Sequence, residues 1–287
     1  MKKPTLNIEY GVKSNFLPHI LNKPLFGKVH SVFQSSFNIQ FDNHLIHFGC
    51  LGMPLSAFGI NIRRLHLKQL LQDIKIGDLV EYKEGFILFH SFGSIVHVNL
   101  NEFFEMDLRI KRVKITQERF QKNDIFKTIE GINFDTESGV IQSDTERKYI
   151  QSLVEKGYDD QSLVVDFIEH FLGRGIGLTP SGDDFLSGIL MVESTFLDST
   201  VFKETIKNRL KDGVTTPVSI NYLNCLVRGY VSENFNHLLK NIFKEIESVK
   251  AQRILKNIFE YGHTSGIDTL FGIKVGLYCI NKSALTI

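Results

Sequence analysis

Residues 181–189 read SGDDFLSGI, and residues 265–273, which lie 84 positions later, read SGIDTLFGI. The two stretches share the pattern S-G-x-D-x-L-x-G-I, with six identities in nine positions. A serine followed three residues later by an aspartate is typical of a capped helix start, and the spaced leucine and isoleucine mark a buried face. The glycine at the seventh helical position lets a neighbour approach closely. The repeat therefore predicts two paired helices, with the shared serines as N-caps and the shared aspartates as their capping partners.

A helix start carries unpaired N–H groups and partial positive charge, so two starts built alike predict one pocket for a small anion. Residues 173–180, GRGIGLTP, lead into the first start with three glycines at alternate positions. They lack the Gly-Lys-Ser/Thr of a P-loop and follow a helical pattern, so nucleotide-binding fingerprints do not fit. An ordinary glycine-rich turn between helices is the alternative. It leaves Arg174, Asp183 and the repetition unexplained.

Two residues are candidates for catalysis. Asp183 has no counterpart in the second copy, where Ile267 stands, and a carboxylate without a capping role suits acid–base chemistry or Mg²⁺ coordination. On this interpretation, Asp183→Asn leaves the melting temperature nearly unchanged. His263 precedes the second helix start, where an imidazole can serve as acid, base or anion donor. The predicted ligand-binding residues are Arg174, Gly175, Gly177, Thr179, Ser181, Gly182, Asp184, Thr216, Thr264, Ser265, Gly266 and Asp268.

A third loop, residues 213–219, also opens a helix, with hydroxyl residues before Pro217 at the first helical position. An ordinary N-cap explains this loop. If the helices converge, Thr216 and Ser219 line the same pocket. The histidines of the N-terminal half show no metal-ligand spacing, since His44 and His47 on an alternating strand point to opposite faces. The sequence therefore predicts no zinc site and no cofactor other than a possible role for Mg²⁺.

The N-terminal third has the alternation of short strands. Residues 37–48 predict a hairpin around Asp42-Asn43, and residues 77–89 predict a second hairpin that turns at residues 83–85. From about residue 143 the apolar spacing becomes helical. The sequence thus predicts an α+β protein, with a β-rich, antiparallel, barrel-like domain of six to eight strands (1–125) and an all-α domain (126–287) that carries the ligand motifs.

Composition excludes several classes of protein. The net charge is +1 and hydrophobic residues make up 43% of the chain, which argues against a nucleic-acid or membrane-surface partner. No apolar run approaches the roughly 18 residues that span a bilayer. The three cysteines are widely separated and form no CxxC motif, so reduced, buried thiols are expected. These features together predict a cytoplasmic protein.

The sequence GRGIGLTPSGDD at 173–184, with GHTSGIDTLFG at 262–272, resembles the AllH-like family of bacterial proteins. That family is best known as one subunit of oxamate carbamoyltransferase in anaerobic allantoin breakdown, a branch of purine catabolism. The resemblance is concentrated in the C-terminal half. In the N-terminal half it extends only to general layout, through residues 49–54 and 77–78.

The resemblance implies a transferase subunit that handles small anions, by phosphorolysis of oxalurate to oxamate and carbamoyl phosphate, together with partner subunits. The S-T-R-T phosphate-binding motif of carbamoyltransferases is absent from this chain, which argues against an independently active enzyme. The alternative is a non-catalytic regulator that binds a small anion or a nucleotide, or a scaffold in a larger complex. A catalytic subunit requires Asp183 and His263 for turnover, whereas a sensor requires only the glycine and hydroxyl positions.

Overall fold

The computed structural model describes residues 5–91, 95–114, 124–211, 213–242, 244, 246–260, 262 and 264–283. The chain forms two compact units: Met1–Leu108 with Val231–Glu233, and Arg109–Tyr230 with Asn234–Ile287. Strands dominate the first unit and helices the second, so the predicted α+β class is confirmed. The finer limits, 1–125 and 126–287, stay predictions.

The first unit is built on one curled sheet, which has ten strands among the described residues. The strands are β1 (Thr5–Ile8), β2 (Gly11–Ser14), β3 (Leu25–Val32), β4 (Phe37–Phe41), β5 (His44–Cys50), β6 (Gly59–Ile62), β7 (Leu79–Lys83), β8 (Phe86–His90), β9 (Ile95–Asn99) and β10 (Phe104–Met106). Their order is β1-β9-β8-β7-β3-β4-β5-β6-β2-β10. The pairs β1–β9, β5–β6 and β2–β10 are parallel and the others are antiparallel. One helix, α1 (Arg64–Asp73), connects β6 to β7.

Both predicted hairpins are present, as the antiparallel pairs β4–β5 and β7–β8. Their inward residues form the core of this unit: the rings of Phe37 and Phe48 stack at 4.7 Å, and Phe89 meets both edge-on. The expected number of strands, six to eight, was too low. The reason is that β1, β2, β6 and β10 have only three or four residues each, too few to show a period of two.

Helices make up most of the remaining chain. They are α2 (Asp124–Glu130), α3 (Phe134–Glu137), α4 (Asp144–Lys156), α5 (Gln161–Phe171), α6 (Ser181–Phe196), α7 (Val201–Arg209), α8 (Pro217–Val227), α9 (Glu233–Asn241), α10 (Ser248–Phe259) and α11 (Ser265–Ser283). Within the described part of the chain, none is both long enough and apolar enough to cross a bilayer. The three cysteines are buried thiols, as expected.

The two copies of the repeat begin α6 and α11, which pack against each other more extensively than any other pair of described helices. A methyl group at Gly188 would overlap the carbonyl oxygen of Thr269, and one at Gly272 would overlap that of Phe185. Phe185 and Thr269 are equivalent positions of the repeat, so the contact is reciprocal. The predicted close approach at the shared glycine is confirmed, and the two helices are related by approximate twofold symmetry.

The paired helices run in the same direction. Gly188 lies against Gly272, and one turn further along both helices Val192 lies against Gly276. Parallel packing brings the two helix starts to the same end of the pair. The internal repeat thus accounts for the geometry on which the candidate site depends.

Near the other end of α6, the buried carboxylate of Glu193 caps α7. Its two oxygens accept hydrogen bonds from the N–H groups of Phe202 and Lys203, each at 2.9 Å. Burial raises the pKa of Glu193 from 4.5 to about 7, although the two N–H groups oppose the change. The folded protein therefore holds a proton on Glu193 at pH values where the unfolded chain has released it.

We expect Glu193→Gln to remove a pH dependence of stability. The stabilising contribution of the protonated carboxyl is complete below about pH 4.5 and is lost as the pH rises through the folded pKa of about 7. Relative to the Gln variant, the wild-type free energy of unfolding should fall by on the order of 2–3 kcal/mol over this range. Urea denaturation of both proteins at several pH values measures the difference. Parallel pH curves would contradict a raised pKa at this position.

Candidate functional site

The starts of α6 and α11 lie side by side. Oγ1 of Thr179 and Oγ of Ser265 are 2.8 Å apart, so the loop before the first helix contacts the first residue of the second. Gly182 and Gly266 are both buried here, and a methyl group at Gly182 would overlap the carbonyl oxygen of Phe171. The expected adjacency of the repeated starts is confirmed. A pocket between them stays a prediction.

The first helix start is not capped as predicted. Ser181 is the first residue of α6, and Pro180 occupies the N-cap without a side-chain hydrogen bond. The N–H groups of residues 182–184 donate to the backbone oxygens of Arg174 and Pro180 at 2.8–3.2 Å. The prediction of Ser181 as N-cap was wrong, because backbone acceptors already satisfy the first turn. That turn consequently has few free donors for a ligand.

The repeated aspartates do not cap their own helices either. Since each helix begins at the shared serine, the aspartate is its fourth residue and faces a neighbouring segment. Oδ1 of Asp268 accepts hydrogen bonds from Oγ of Ser138 at 2.7 Å and from the N–H of Gly139 at 2.9 Å. Asp268 therefore fastens the α3–α4 connection to α11.

Asp184 is the equivalent aspartate at the start of α6. Burial raises the pKa of Asp184 well above its usual range, the Ser265 and Thr179 hydroxyls oppose this, and the negative charge of Asp268 adds to it. The two equivalent carboxylates thus influence each other across the helix pair. The capping role predicted for both aspartates was wrong, because their contacts cross between segments.

Asp183 has a structural role that the sequence did not reveal. Its side chain is 1% exposed; Oδ1 accepts a hydrogen bond from the N–H of Gly173 at 2.7 Å, and Oδ2 accepts one from the Thr215 hydroxyl. Burial raises the pKa of Asp183, while the Thr215 and Gly173 donors oppose the rise. The expectation that Asp183 makes no structural contact was wrong. Aspartate stands at 183, where the second repeat has Ile267, because Asp183 joins the loop of Gly173 to the loop of Thr215.

Residues 173–180 form a loop that is exposed at residues 175–178. Gly175 and Gly177 have φ values of 122° and 96°, a region that side chains disfavour. Within the described structure, the N–H groups of residues 175–179 have no hydrogen-bond acceptor. Ile176 at the centre is 93% exposed. The loop therefore leaves a run of exposed backbone N–H groups without an acceptor, and such runs bind anions in other proteins.

Arg174, predicted to bind an anion, is held by a buried carboxylate. Nη2 of Arg174 and Nε2 of His170 both lie 3.0 Å from Oε1 of Glu146, and Oγ of Ser143 donates to Oε2 at 2.6 Å. Burial alone would raise the pKa of Glu146, but the Ser143, His170 and Arg174 contacts outweigh it and lower the pKa to about 2. The guanidinium charge is thus largely neutralised. Arg174 remains partly exposed beside the loop.

The sequence contained a signal for this cluster. Ser143 and Glu146 have the S-x-x-E spacing of a capping box, and Ser143 is indeed the N-cap of α4. His170 and Arg174 are four residues apart at the end of α5 and just beyond it. What the sequence does not contain is the contact between α4 and the glycine loop, which joins residues 28 positions apart.

The third loop is capped as predicted. Thr216 is the N-cap of α8, Pro217 is the first helical residue, and the N–H of Ser219 donates to Oγ1 of Thr216 at 3.1 Å. The Thr216 hydroxyl also donates to the carbonyl oxygen of Leu178. The helices converge, so Thr216 borders the glycine loop.

The remaining predicted residues have different outcomes. His263 lies outside the described residues, and its catalytic role stays a prediction. The carbonyl oxygen of Thr264 accepts the N–H of Asp268 at 2.9 Å, which gives Thr264 a backbone role in the second helix start. Among the described residues there is no group of three or more His, Cys, Asp or Glu side chains placed to hold a metal.

The fold and the site define a class of α+β protein in which an internal repeat places two helix starts and a glycine loop together. The chain belongs to the AllH family: residues 171–277 match the model of the oxamate carbamoyltransferase subunit AllH, and residues 6–104 match the AllH family N-terminal domain. The first match spans both copies of the repeat. No solved structure matches the chain.

Proposed function

We propose that this chain is the subunit of a carbamoyltransferase-type complex that holds a small anionic substrate at the glycine loop. The observation that carries the proposal is the run of N–H groups without an acceptor at residues 175–179, beside Arg174 and the paired helix starts. Carbamoyl phosphate, phosphate, oxalurate and oxamate are small anions with several acceptor oxygens. Each charge-assisted hydrogen bond to such a ligand contributes ~1.5–3 kcal/mol, so several together support measurable affinity after ordering costs.

In this proposal the backbone N–H groups supply most of the binding. Glu146 neutralises much of the Arg174 charge, and Asp183 uses its oxygens to hold the loop through Gly173. In this proposal Asp183 and Glu146 position the loop, while the N–H groups and the exposed edge of Arg174 contact the anion. Thr179, Thr216, Thr264 and Ser265 supply hydroxyls around it.

The reaction we propose is phosphorolysis of oxalurate in a step of purine-type nitrogen catabolism. A phosphate oxygen attacks the carbamoyl carbon, the bond from that carbon to the oxamate nitrogen breaks, and the nitrogen takes a proton from phosphate. The products are carbamoyl phosphate and oxamate. Since the family name describes a subunit, partner subunits complete the active complex. Asp183 and His263 remain the proposed catalytic residues of this chain.

Gly177→Ala is expected to weaken anion binding by about tenfold or more, because alanine disfavours a φ of 96° and the loop N–H groups lose their alignment. A methyl group at Gly177 meets no atom within 4 Å, so packing is unaffected. Isothermal titration with phosphate, carbamoyl phosphate and oxamate measures the change. The matched control is Gly157→Ala, which has a φ of 72° and equally open space at the end of α4.

The control should lose similar stability and keep wild-type affinity. Equal affinity of both variants, or no heat from the wild type with any of the three anions at millimolar concentration, would contradict an anion site at this loop. Reconstitution with the partner subunits then separates the two roles. A complex in which Gly177→Ala leaves turnover intact while binding is lost supports the regulatory alternative.

A further inference from the structure

The paired helix starts also contain two buried aspartates that have no part in the proposed anion site. They are Asp184 and Asp268, the equivalent aspartates of the two repeats, and together they form the carboxylate pair. One oxygen of each, Oδ2, is buried and accepts no hydrogen bond from any described residue. Asp268 is 0% exposed. Buried carboxylate oxygens without a donor are rare in native structures, because burial removes their hydrogen bonds to water and no protein donor replaces them.

Hydroxyl oxygens lie around the carboxylate pair. The Thr179 and Ser265 hydroxyls lie beside Asp184 and are 2.8 Å from each other. On the other side, a methyl group at Gly139 would overlap Oγ of Ser181 and lie 3.8 Å from Oδ2 of Asp268. Carboxylate and hydroxyl oxygens are ligands for hard cations.

The hydrogen bonds at Asp268 use only one of its two oxygens. Oδ1 accepts from both Ser138 and Gly139, whereas Oδ2 has no donor and is available to a ligand. Asp184 has the same free oxygen, Oδ2, at the start of the neighbouring helix. A cation between the two carboxylates would satisfy both free oxygens together.

We infer that the carboxylate pair binds a divalent cation, Mg²⁺, between the starts of α6 and α11. Two carboxylates are the number that Mg²⁺ commonly takes from protein, with the remaining positions filled by water or by a phosphate oxygen. The approximate twofold symmetry explains why aspartate stands in both copies of the repeat: each helix contributes one ligand. The site is a property of this chain alone and does not depend on anion binding at the loop.

The test is the thermal stability of the chelator-treated chain in chloride buffer, without anionic substrate. Saturating Mg²⁺ should raise the melting temperature by about 5 °C, the scale expected when a ligand at ~100 times its Kd binds only the folded state. Asp184→Asn and Asp268→Asn should both lose this increase, since the amide keeps the shape and removes the charge. Glu193→Gln, which alters a buried carboxylate elsewhere on α6, should retain it.

Binding of Mn²⁺ followed by electron paramagnetic resonance gives a second readout on the wild-type chain, with about one ion per chain expected. This readout decides the question even if an Asn variant does not fold. The inference is overturned if Mg²⁺ gives no increase and no Mn²⁺ binds, if K⁺ or Na⁺ at equal ionic strength gives the same increase, or if both Asn variants keep it. Because no anion is present, these results are independent of the phosphate titration that tests the glycine loop.

Discussion

Gly188→Val is expected to lower the free energy of unfolding by about 3–5 kcal/mol, because the new side chain cannot fit between α6 and α11. A methyl group at Gly188 already overlaps the carbonyl oxygen of Thr269, which is backbone and cannot rotate away. The helices must therefore separate, and the packing of Phe185 against Phe271, with ring centres 5.1 Å apart, loosens with them. Urea or thermal denaturation of the purified variant measures the loss.

The equivalent change at Gly272 should cost a similar amount, because the contact is reciprocal. The double variant should cost less than the sum, since helices already separated by one side chain admit the second more easily. Gly131→Ala is the matched control: a methyl group there meets its nearest atom at 3.5 Å, an ordinary contact. That variant should stay within about 0.5 kcal/mol of wild type. Wild-type stability of Gly188→Val would refute the close helix pair.

Asp183→Ala is expected to cost about 3 kcal/mol, because it removes the buried acceptor that the part-buried Gly173 N–H and Thr215 hydroxyl share. The two loops that Asp183 joins should become mobile, so anion affinity at the glycine loop should fall as well. Chemical denaturation and phosphate titration measure the two effects. Asp160→Ala is the matched control, since Asp160 is the N-cap of α5, where it accepts a hydrogen bond from the N–H of Leu163 and an exposed one from Lys156.

A simple helix cap of this kind contributes about 1 kcal/mol, so equal losses for Asp183→Ala and Asp160→Ala would contradict the joining role. Asp183→Asn then tests the proposed catalytic role, because its amide oxygen can still accept from Gly173. A melting temperature near wild type with a hundredfold loss of turnover in the reconstituted complex supports chemistry at Asp183. A loss of turnover that only follows the loss of stability supports positioning.

Local sequence patterns predicted much of the fold. A period of two with turn residues at Asp42-Asn43 predicted the β4–β5 hairpin, and the helical period of the repeat predicted α6 and α11 and their contact at glycine. These features depend on residues a few positions apart, where backbone geometry fixes which side chains share a face. The adjacency of the two helix starts followed from the same repeat, because equivalent sequences pack as equivalent structures.

The partners of the charged residues were decided only by the tertiary structure. Asp183 meets Thr215 across 32 positions, Asp268 meets Ser138 across 130, and Glu146 meets Arg174 across 28. Capping rules assigned the aspartates to their own helices because a local sequence shows only local acceptors and donors. In the folded chain, donors from other segments pack against these aspartates, and a buried carboxylate accepts hydrogen bonds from the donors that lie next to it. The sequence by itself determined the two helix starts and the glycine loop, and long-range packing determined which partners their charged side chains have.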